Sequence, residues 1–222
     1  MKPTWMKWGA VPLAAVLMSL GGSTAVMAQD PSSQSSGSAA PTPAPEKKDP
    51  TIEQRKENQQ DRIANGVKSG ELTAGETANL EKKEAAINKE TAADRAANGG
   101  KLTGAEKAQI NRQQNRMSKQ IYQDKHNANV AHYGNNKVGQ RRENQQDRIA
   151  QGIKSGQLTA GETAKLEKQH QGINKQVATD RKANGGSLNA GQKKQINKEQ
   201  NQASRNIYRK KHNAATQPKA KS

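Results

Sequence analysis

The sequence predicts an all-α protein in which two tandem three-helix units follow an export signal and a linker. The first observation is an internal duplication, because RKENQQDRIANGVKSG at Arg55 returns as RRENQQDRIAQGIKSG at Arg141. Of the 73 aligned positions, 46 are identical, which indicates that one structural unit was copied. The second observation is the phrase SGELTAGE at 69–76, which occurs in four variants and has the residue order of a helix end followed by a helix start.

The first 28 residues have the pattern of a cleaved signal peptide. Lys2 and Lys7 precede an apolar run at 9–20, and small residues lead to Ala28. An uncleaved membrane anchor is the alternative, but the apolar run is shorter than the ~20 residues of an ordinary span. We therefore expect an exported protein that is periplasmic or secreted, with no membrane span in the mature chain.

The rest of the chain divides by composition into a linker, two copies of the helical unit, a connector and a tail. The Pro- and Ser-rich linker and the polar tail are expected to be disordered. The segments are 29–50 for the linker, 51–127 for the first unit, 128–140 for the connector, 141–213 for the second unit and 214–222 for the tail.

The chain is strongly basic, with 37 Lys and Arg against 20 Asp and Glu and a formal net charge of +17. Because the two signs are interspersed, a solvated and self-repelling surface is one interpretation. The other is attraction to a polyanion such as an anionic lipid surface, a cell-wall polymer or an acidic protein. Nonspecific, salt-sensitive contact with nucleic acid is also expected, but three tyrosines in the mature chain cannot form a stacking platform for specific recognition.

Two absences in the composition restrict the function further. The chain has no cysteine, which excludes disulfides and thiolate metal sites. It also has no phenylalanine and a mean hydropathy of −1.13, so a largely disordered hydrophilic stress protectant is an alternative to a folded protein. The regular spacing of the apolar residues favours folded helices.

Each variant of the repeated phrase predicts a capping box at the start of a helix. The Thr or Asn side chain accepts from a free backbone N–H, and a Glu or Gln three residues later bonds back to the N–H of the cap. The glycine before each leucine suits the left-handed turn that ends the preceding helix, and the leucine is expected to be buried under that turn. The predicted pairs are Thr73 with Glu76, Thr103 with Glu106, Thr159 with Glu162, and Asn189 with Gln192.

Between the caps, apolar residues recur at helical spacing. In the third helix, Ile110, Met117 and Ile121 lie at i, i+7 and i+11, and the first helix has the i, i+4 pair Ile63 and Val67. The same spacing returns in the second copy. The first unit is therefore predicted to have helices near 52–68, 74–97 and 104–126, joined by short turns that favour antiparallel neighbours.

The phrase also resembles the second half of an EF-hand loop, in which a glycine, an apolar residue and a bidentate glutamate follow at fixed spacing. That resemblance would make Glu76, Glu106 and Glu162 calcium ligands. Calcium requires six to eight oxygen ligands. The loop that ends at Glu106 departs from the pattern, because its ligand positions hold Arg95, Ala97 and Gly99. Helix capping accounts for the matched residues without a metal, and no cofactor is predicted.

The segments KLTGAEKAQIN at 101–111 and SLNAGQKKQIN at 187–197 resemble the LTxxQ motif of the Spy/CpxP-type periplasmic chaperones. The resemblance covers only helix-start segments. It implies an exported, all-helical protein that holds unfolded clients without ATP or a cofactor.

A second repeated motif, SxxIYxxKHN, ends each unit. Tyr122 and His126 lie four residues apart on one helix face, as do Tyr208 and His212. Such a pair could contact a ligand or partner, although one histidine per unit makes a poor metal site. The alternative is structural, with the tyrosines anchoring the helix ends to the core and the histidines complementing the helix dipole.

No catalytic motif is present, so the chain is predicted not to be an enzyme. Over about 50–213 it resembles exported bacterial proteins whose helical units combine SGxLTxxE with IYxxKHN, a resemblance that implies no activity. The function expected from the sequence is a periplasmic binding or structural module for anionic envelope components or unfolded proteins. A periplasmic chaperone, a stress protectant and a weak calcium binder are the alternatives.

Overall fold

The computed structural model describes residues 50–217, most of which lie in six helices. These are α1 (Ile52–Ser69), α2 (Ala74–Ala97), α3 (Gly104–Lys125), α4 (Lys137–Lys154), α5 (Ala160–Ala183) and α6 (Ala190–Lys211). This part of the chain contains no strand, which confirms the predicted all-α class. The predicted signal peptide at 1–28, all but the last residue of the linker at 29–50 and the end of the tail at 214–222 lie outside the described residues. None of the described helices has the length and apolar character needed to cross a bilayer.

The start of α4 differs from the sequence prediction, which placed residues 128–140 in a connector. The helix begins at Lys137, and the Asn136 side chain caps it by accepting from the N–H of Gly139 at 3.1 Å. Val138 is buried in this first turn. The asparagines and glycine near this position suggested a loop, but one asparagine is the helix cap itself.

Within each repeat, the second helix runs antiparallel to the first and third. In the first repeat, Glu53 near the start of α1 forms an ion pair with Arg95 near the end of α2. Further along α1, Gln60 donates to Glu81 at 3.1 Å. The contacts between α2 and α3 also run in opposite directions along the two helices, because Glu90 accepts from Gln113 whereas the earlier Lys83 bonds the later Gln120. The first repeat is therefore an up-down-up bundle of three helices.

Buried glutamines join α1 to α3, which run parallel. The Gln59 amide donates to the carbonyl of Gln114 and to the hydroxyl of Ser118, both at 2.7 Å. Gln114 in turn donates to the carbonyl of Ile52 at 2.9 Å. The second repeat makes the same three bonds at the duplicated positions. Because a buried amide needs a partner, these bonds fix how the two helices pack where apolar residues are few.

The two repeats pack against each other through duplicated helices. α1 packs on α4 and α2 packs on α5, so each of these helices meets its own copy, as in a two-fold symmetric dimer. The largest buried apolar cluster includes Ile63 and Leu80 from the first repeat and Ile149 and Leu166 from the second. The two three-helix units therefore share much of one core.

The leucine before each capping box is buried, as the sequence predicted. The exposed fractions are 1% for Leu72, 9% for Leu102, 0% for Leu158 and 8% for Leu188. Each turn therefore adds an apolar side chain to a core that the helices alone would fill sparsely.

The segment between the repeats folds back over the helical body. The N–H of Ala131 donates to the carbonyl of Gly70 at 2.8 Å. Further along, the backbone carbonyls of Tyr133 and Gly134 lie against Gly139 in the first turn of α4. A Cβ atom at Gly139 would overlap both oxygens, so this close approach requires glycine.

We predict that Gly139→Ala destabilises the protein by about 2 kcal/mol or more, because the added methyl group overlaps two backbone carbonyls that have little freedom to move. Urea denaturation followed by circular dichroism measures this loss. Gly161→Ala is the control, since a Cβ there meets no atom within 4 Å. Equal stability of the Gly139 variant and the wild type would contradict the described path of the connector.

Candidate functional site

All four repeated phrases form capping boxes, and their acidic or amide side chains face the backbone. At Thr73, the backbone N–H donates to the Glu76 carboxylate at 2.9 Å, and the Glu76 N–H donates to the Thr73 hydroxyl at 3.3 Å. The other three boxes are Thr103 with Glu106, Thr159 with Glu162 and Asn189 with Gln192. A fifth box, Thr51 with Gln54, starts α1 and was not predicted.

The two repeated motifs meet at one end of each repeat, which the sequence did not indicate. Asn127, the last residue of the KHN motif, donates to the free oxygen of Glu76 at 2.8 Å, and Asn129 donates to the same oxygen at 3.2 Å. In the second repeat, Asn213 donates to Glu162 at 2.6 Å. These asparagines attach the segment that follows the third helix to the start of the second. The only feature of the sequence that pointed to this contact is that both motifs occur in both copies.

The predicted calcium residues are occupied by these capping contacts. Burial opposes ionisation of Glu76, but the hydrogen bonds from Thr73, Asn127 and Asn129 outweigh it and lower its pKa. The backbone N–H of Thr103 is the main cause of the lowered pKa of Glu106. Among residues 50–217, no three His, Cys, Asp or Glu side chains are grouped so that they could hold a metal ion. The arrangement favours helix capping for Glu76, Glu106 and Glu162.

The predicted anchoring of the helix ends by tyrosine is wrong. Tyr122 and Tyr208 are each 59% exposed, so neither enters the core. Each ring stacks on the histidine four residues later, with centroids 4.2 Å apart for His126 and 4.1 Å apart for His212. Ile121 and Ile207 occupy the buried positions instead. The Tyr–His pairs remain accessible for contact with a partner.

A group of ionisable side chains is buried between α2 and α5. Glu81, Glu84 and Glu167 are completely buried, and His170 is 1% exposed. Burial raises the pKa of Glu84 to about 7 and that of Glu167 to about 8, and it raises the pKa of Glu81 well above its usual range. Burial and then the charge of Arg142 lower the pKa of His170 to about 4. These side chains are therefore mainly uncharged at mildly acidic pH.

A basic cleft of about 810 Å³ lies between the connector and α5 of the second repeat, and the start of α2 also lines it through Thr73, Ala74 and Gly75. Arg142, Lys168, Lys175 and Arg181 contribute four positive charges to its lining, and no Asp or Glu lines it. None of these four cations forms an ion pair with a described residue. The cleft, which we call the α5 cleft, therefore concentrates uncompensated positive charge.

The matching position in the first repeat is smaller and has compensating charge. It is a cleft of about 140 Å³ lined by Lys56 and Arg95 together with Glu53 and Glu57. Arg95 is paired with Glu53, and the charge of Lys56 opposes the raised pKa of Glu84. In the first repeat, cations and carboxylates therefore line the cleft together.

The two copies differ by two carboxyl groups beside the α5 cleft. Arg142 is the counterpart of Lys56, but His170 replaces the nearby Glu84. Arg181 is the counterpart of Arg95, but Gly139 replaces its partner Glu53. At both places the two copies have a cation, but the second copy has no acidic residue at the positions of Glu53 and Glu84.

The second repeat as a whole is also more basic than the first. Residues 55–127 hold 14 Lys and Arg against 10 Asp and Glu, whereas residues 141–213 hold 16 against 6. The formal net charge is thus +4 for the first copy and +10 for the second. Five acidic residues of the first copy are replaced by Gln157, His170, Gln176, Gln192 and Lys210.

A second basic cleft of about 610 Å³ adjoins the first at Arg181. Its other charged lining residues are Lys137, Arg141 and Lys193, again without Asp or Glu. The two clefts make a continuous basic surface on the second repeat. The overall charge is evident in the sequence but this surface is not, because its residues come from the start of α2, the connector, α4, α5 and the start of α6.

No protein-family model, curated protein or solved structure matches the chain. The geometry of the described residues therefore provides the basis for a functional proposal.

We predict that Thr73→Ala lowers the free energy of unfolding by about 1 kcal/mol, because it removes one half of a capping box. Thermal unfolding of this variant beside Thr179→Ala, whose hydroxyl caps no helix, measures the difference.

Millimolar calcium should leave the melting temperature of the wild type unchanged. A calcium-dependent rise that disappears in Glu76→Gln would instead identify Glu76 as a ligand.

The buried carboxyls predict that stability falls as the pH rises. The folded-state pKa of Glu84, about 7, exceeds its ordinary value of 4.5, so its stabilising contribution is complete below pH 4.5 and is lost as the pH rises through 7. His170 acts in the opposite direction, but only below its ordinary pKa of 6.5. Between pH 6.5 and 8.5 the carboxyls therefore dominate.

We expect Glu84→Gln to be more stable than the wild type by roughly 2–3 kcal/mol at pH 8.5 and about equally stable at pH 5. Urea denaturation across this range measures the effect. Glu143→Gln, which removes an exposed carboxylate, is the matched control and should keep the pH dependence of the wild type. An unchanged pH dependence in Glu84→Gln would show that this carboxyl does not bind its proton more tightly in the folded state.

Proposed function

We propose that the protein is an exported, non-enzymatic binding protein whose second repeat attaches to an anionic polymer or surface of the cell envelope. The observation that carries this proposal is the α5 cleft, in which four cations lie together without a carboxylate. The signal-peptide pattern at 1–28 supports an envelope location for the partner.

For binding an anion, the arrangement of the positive charges on the surface matters more than the net charge of the chain. At physiological ionic strength, exposed charges farther apart than about 8 Å are largely screened from each other. Cations that share a cleft act together on one anionic group, and the low-dielectric walls of the cleft strengthen their field. The second repeat has this arrangement, whereas in the first repeat Glu53 and Glu57 line the cleft together with Lys56 and Arg95, the equivalents of Arg142 and Arg181.

The described surface offers less support for holding unfolded clients. Its exposed large apolar side chains are Tyr122, Val130 and Tyr208. A chaperone surface for unfolded chains would be expected to present a larger apolar patch. The proposal includes no enzyme activity. Glu81, Glu84 and Glu167, the carboxyls with raised pKa values, are packed between helices and line neither basic cleft, where they could meet a substrate.

The proposal predicts binding that depends on the second repeat and on salt. Phosphatidylglycerol vesicles and soluble polyphosphate serve as anionic probes, with phosphatidylcholine vesicles as the neutral control. Replacing Lys168, Lys175 and Arg181 with glutamine should weaken binding to at least one anionic probe by about tenfold or more, because three uncompensated charges are lost.

The duplication provides a matched control with the same change in net charge. Replacing the equivalent Lys82, Lys89 and Arg95 with glutamine should weaken binding by no more than about threefold, since Arg95 is paired with Glu53 and neither lysine lines the first-repeat cleft. Equal losses in the two triple variants would reduce the effect to overall charge and contradict a binding face on the second repeat. No binding to either anionic probe at low salt would contradict the proposed function itself.

A further inference from the structure

Arg142 is unusual because it is buried without a carboxylate partner. Its exposed fraction is 6%, one guanidinium nitrogen donates to the carbonyl of His132 at 2.5 Å, and its Nε has no hydrogen-bond partner. The guanidinium lies 5.5 Å from the centre of the Tyr133 ring. A buried cation is costly unless it is paired, so the fold holds a charge that nothing in the described chain neutralises.

The surroundings of Arg142 increase this cost. Burial and the nearby charge of Arg181 both act to lower the pKa of Arg142, because its positive form is destabilised at this position. Lys168 and Lys175, which line the same cleft, carry the same sign. An anion that enters the cleft would relieve the repulsion between Arg142 and Arg181.

The cleft also has the size and the apolar wall of a small-molecule site. Its volume of about 810 Å³ lies within the range of ordinary ligand pockets, roughly 300–1,000 Å³. Val130, Val177 and Ala178 supply apolar lining beside the cations. Burial is the main cause of the raised pKa of Tyr133, so its hydroxyl stays protonated and can donate a hydrogen bond.

From this geometry we infer that the α5 cleft binds a phosphate group carried by a small organic body, with Arg142 and Arg181 as its principal ligands. This inference rests on the proposed function and names the chemical group that the second repeat holds. Lys168 and Lys175 add positive charge farther along the cleft, while the apolar wall contacts the carrier of the phosphate. The phosphate belongs either to a free sugar phosphate or to a lipid headgroup.

Phosphate fits this charge better than carboxylate does. A phosphate monoester carries about −1.5 to −2 charge at pH 7 and has three strong acceptor oxygens. The guanidinium of arginine presents paired N–H groups that match such oxygens. A single carboxylate would neutralise only one of the four cations in the cleft.

Glucose 6-phosphate is the test ligand for isothermal titration calorimetry at 150 mM salt, with glucose and gluconate as the phosphate-free and carboxylate controls. The wild type is expected to bind glucose 6-phosphate, or phosphatidylglycerol vesicles in a parallel assay. It should bind gluconate at least about tenfold more weakly, because each charge-assisted hydrogen bond that gluconate cannot make contributes to affinity.

Two variants take residues that the first repeat already has at the same positions, so both are compatible with this helical unit. Arg142→Lys keeps the charge but removes the paired donors, and it should weaken phosphate binding by about tenfold. His170→Glu places a carboxyl group beside Arg142 without changing the lining of the cleft. Assayed at pH 8.5, above the pKa of about 7 of its counterpart Glu84, it should be ionised and weaken binding by about tenfold or more. Arg95→Gln, at the counterpart of Arg181, is the control and should bind like the wild type. Thermal unfolding verifies that each variant is folded.

The results separate this inference from the proposed function. Loss of glucose 6-phosphate binding in both variants supports a free phosphate ligand, and loss of vesicle binding alone supports a lipid headgroup. If both variants bind each probe as the wild type does while the triple glutamine variant of the second repeat loses binding, the phosphate site is overturned and the proposed function stands. If gluconate binds as tightly as glucose 6-phosphate, the assignment to phosphate is overturned.

Discussion

The packing of α2 on α5 is the contact on which the rest of the structure depends. It brings the two copies together around Leu80 and Leu166. The duplicated helices α1 and α4 pack on each other as well. The same contact buries Glu81, Glu84 and Glu167, which are tolerated because they bind their protons tightly when water is excluded. The interface therefore combines a modest apolar core with polar groups whose protonation sets its strength.

The two copies share their three-helix form but differ in surface charge. Identical residues maintain the glutamine contacts, the buried leucines and the capping boxes of Thr73 and Thr159. The second copy has fewer acidic residues than the first and more cations, with 16 Lys and Arg over 141–213 against 14 over 55–127. Gly139 lies where the first copy has Glu53, and it leaves room for the connector, because a side chain there would overlap the carbonyls of Tyr133 and Gly134. This one difference accounts both for the missing partner of Arg181 and for the close approach of the connector that lines the α5 cleft.

The repeated motifs acquire a structural explanation when their contacts are considered together. Glu76 and Glu162 satisfy backbone groups at a helix start and also accept hydrogen bonds from Asn127 and Asn213. The capping box at the start of the second helix and the KHN motif after the third helix therefore contact each other in each copy. Because Glu76 and Glu162 are engaged in these contacts, the basic surface of the second repeat is the better candidate for a functional site.

The sequence by itself determined the helical class, the duplication and the capping residues, because each of these follows from local chemistry and helical period. It did not show that duplicated helices pack on each other, since an apolar stripe does not specify its partner. Nor could it show that Tyr122 and Tyr208 are exposed, because a tyrosine at a helix end suits either the core or the surface. Only the tertiary structure placed Arg142 and Arg181 in one cleft and separated them from carboxylates. Charges distant in sequence become a site only when packing fixes the distances between them.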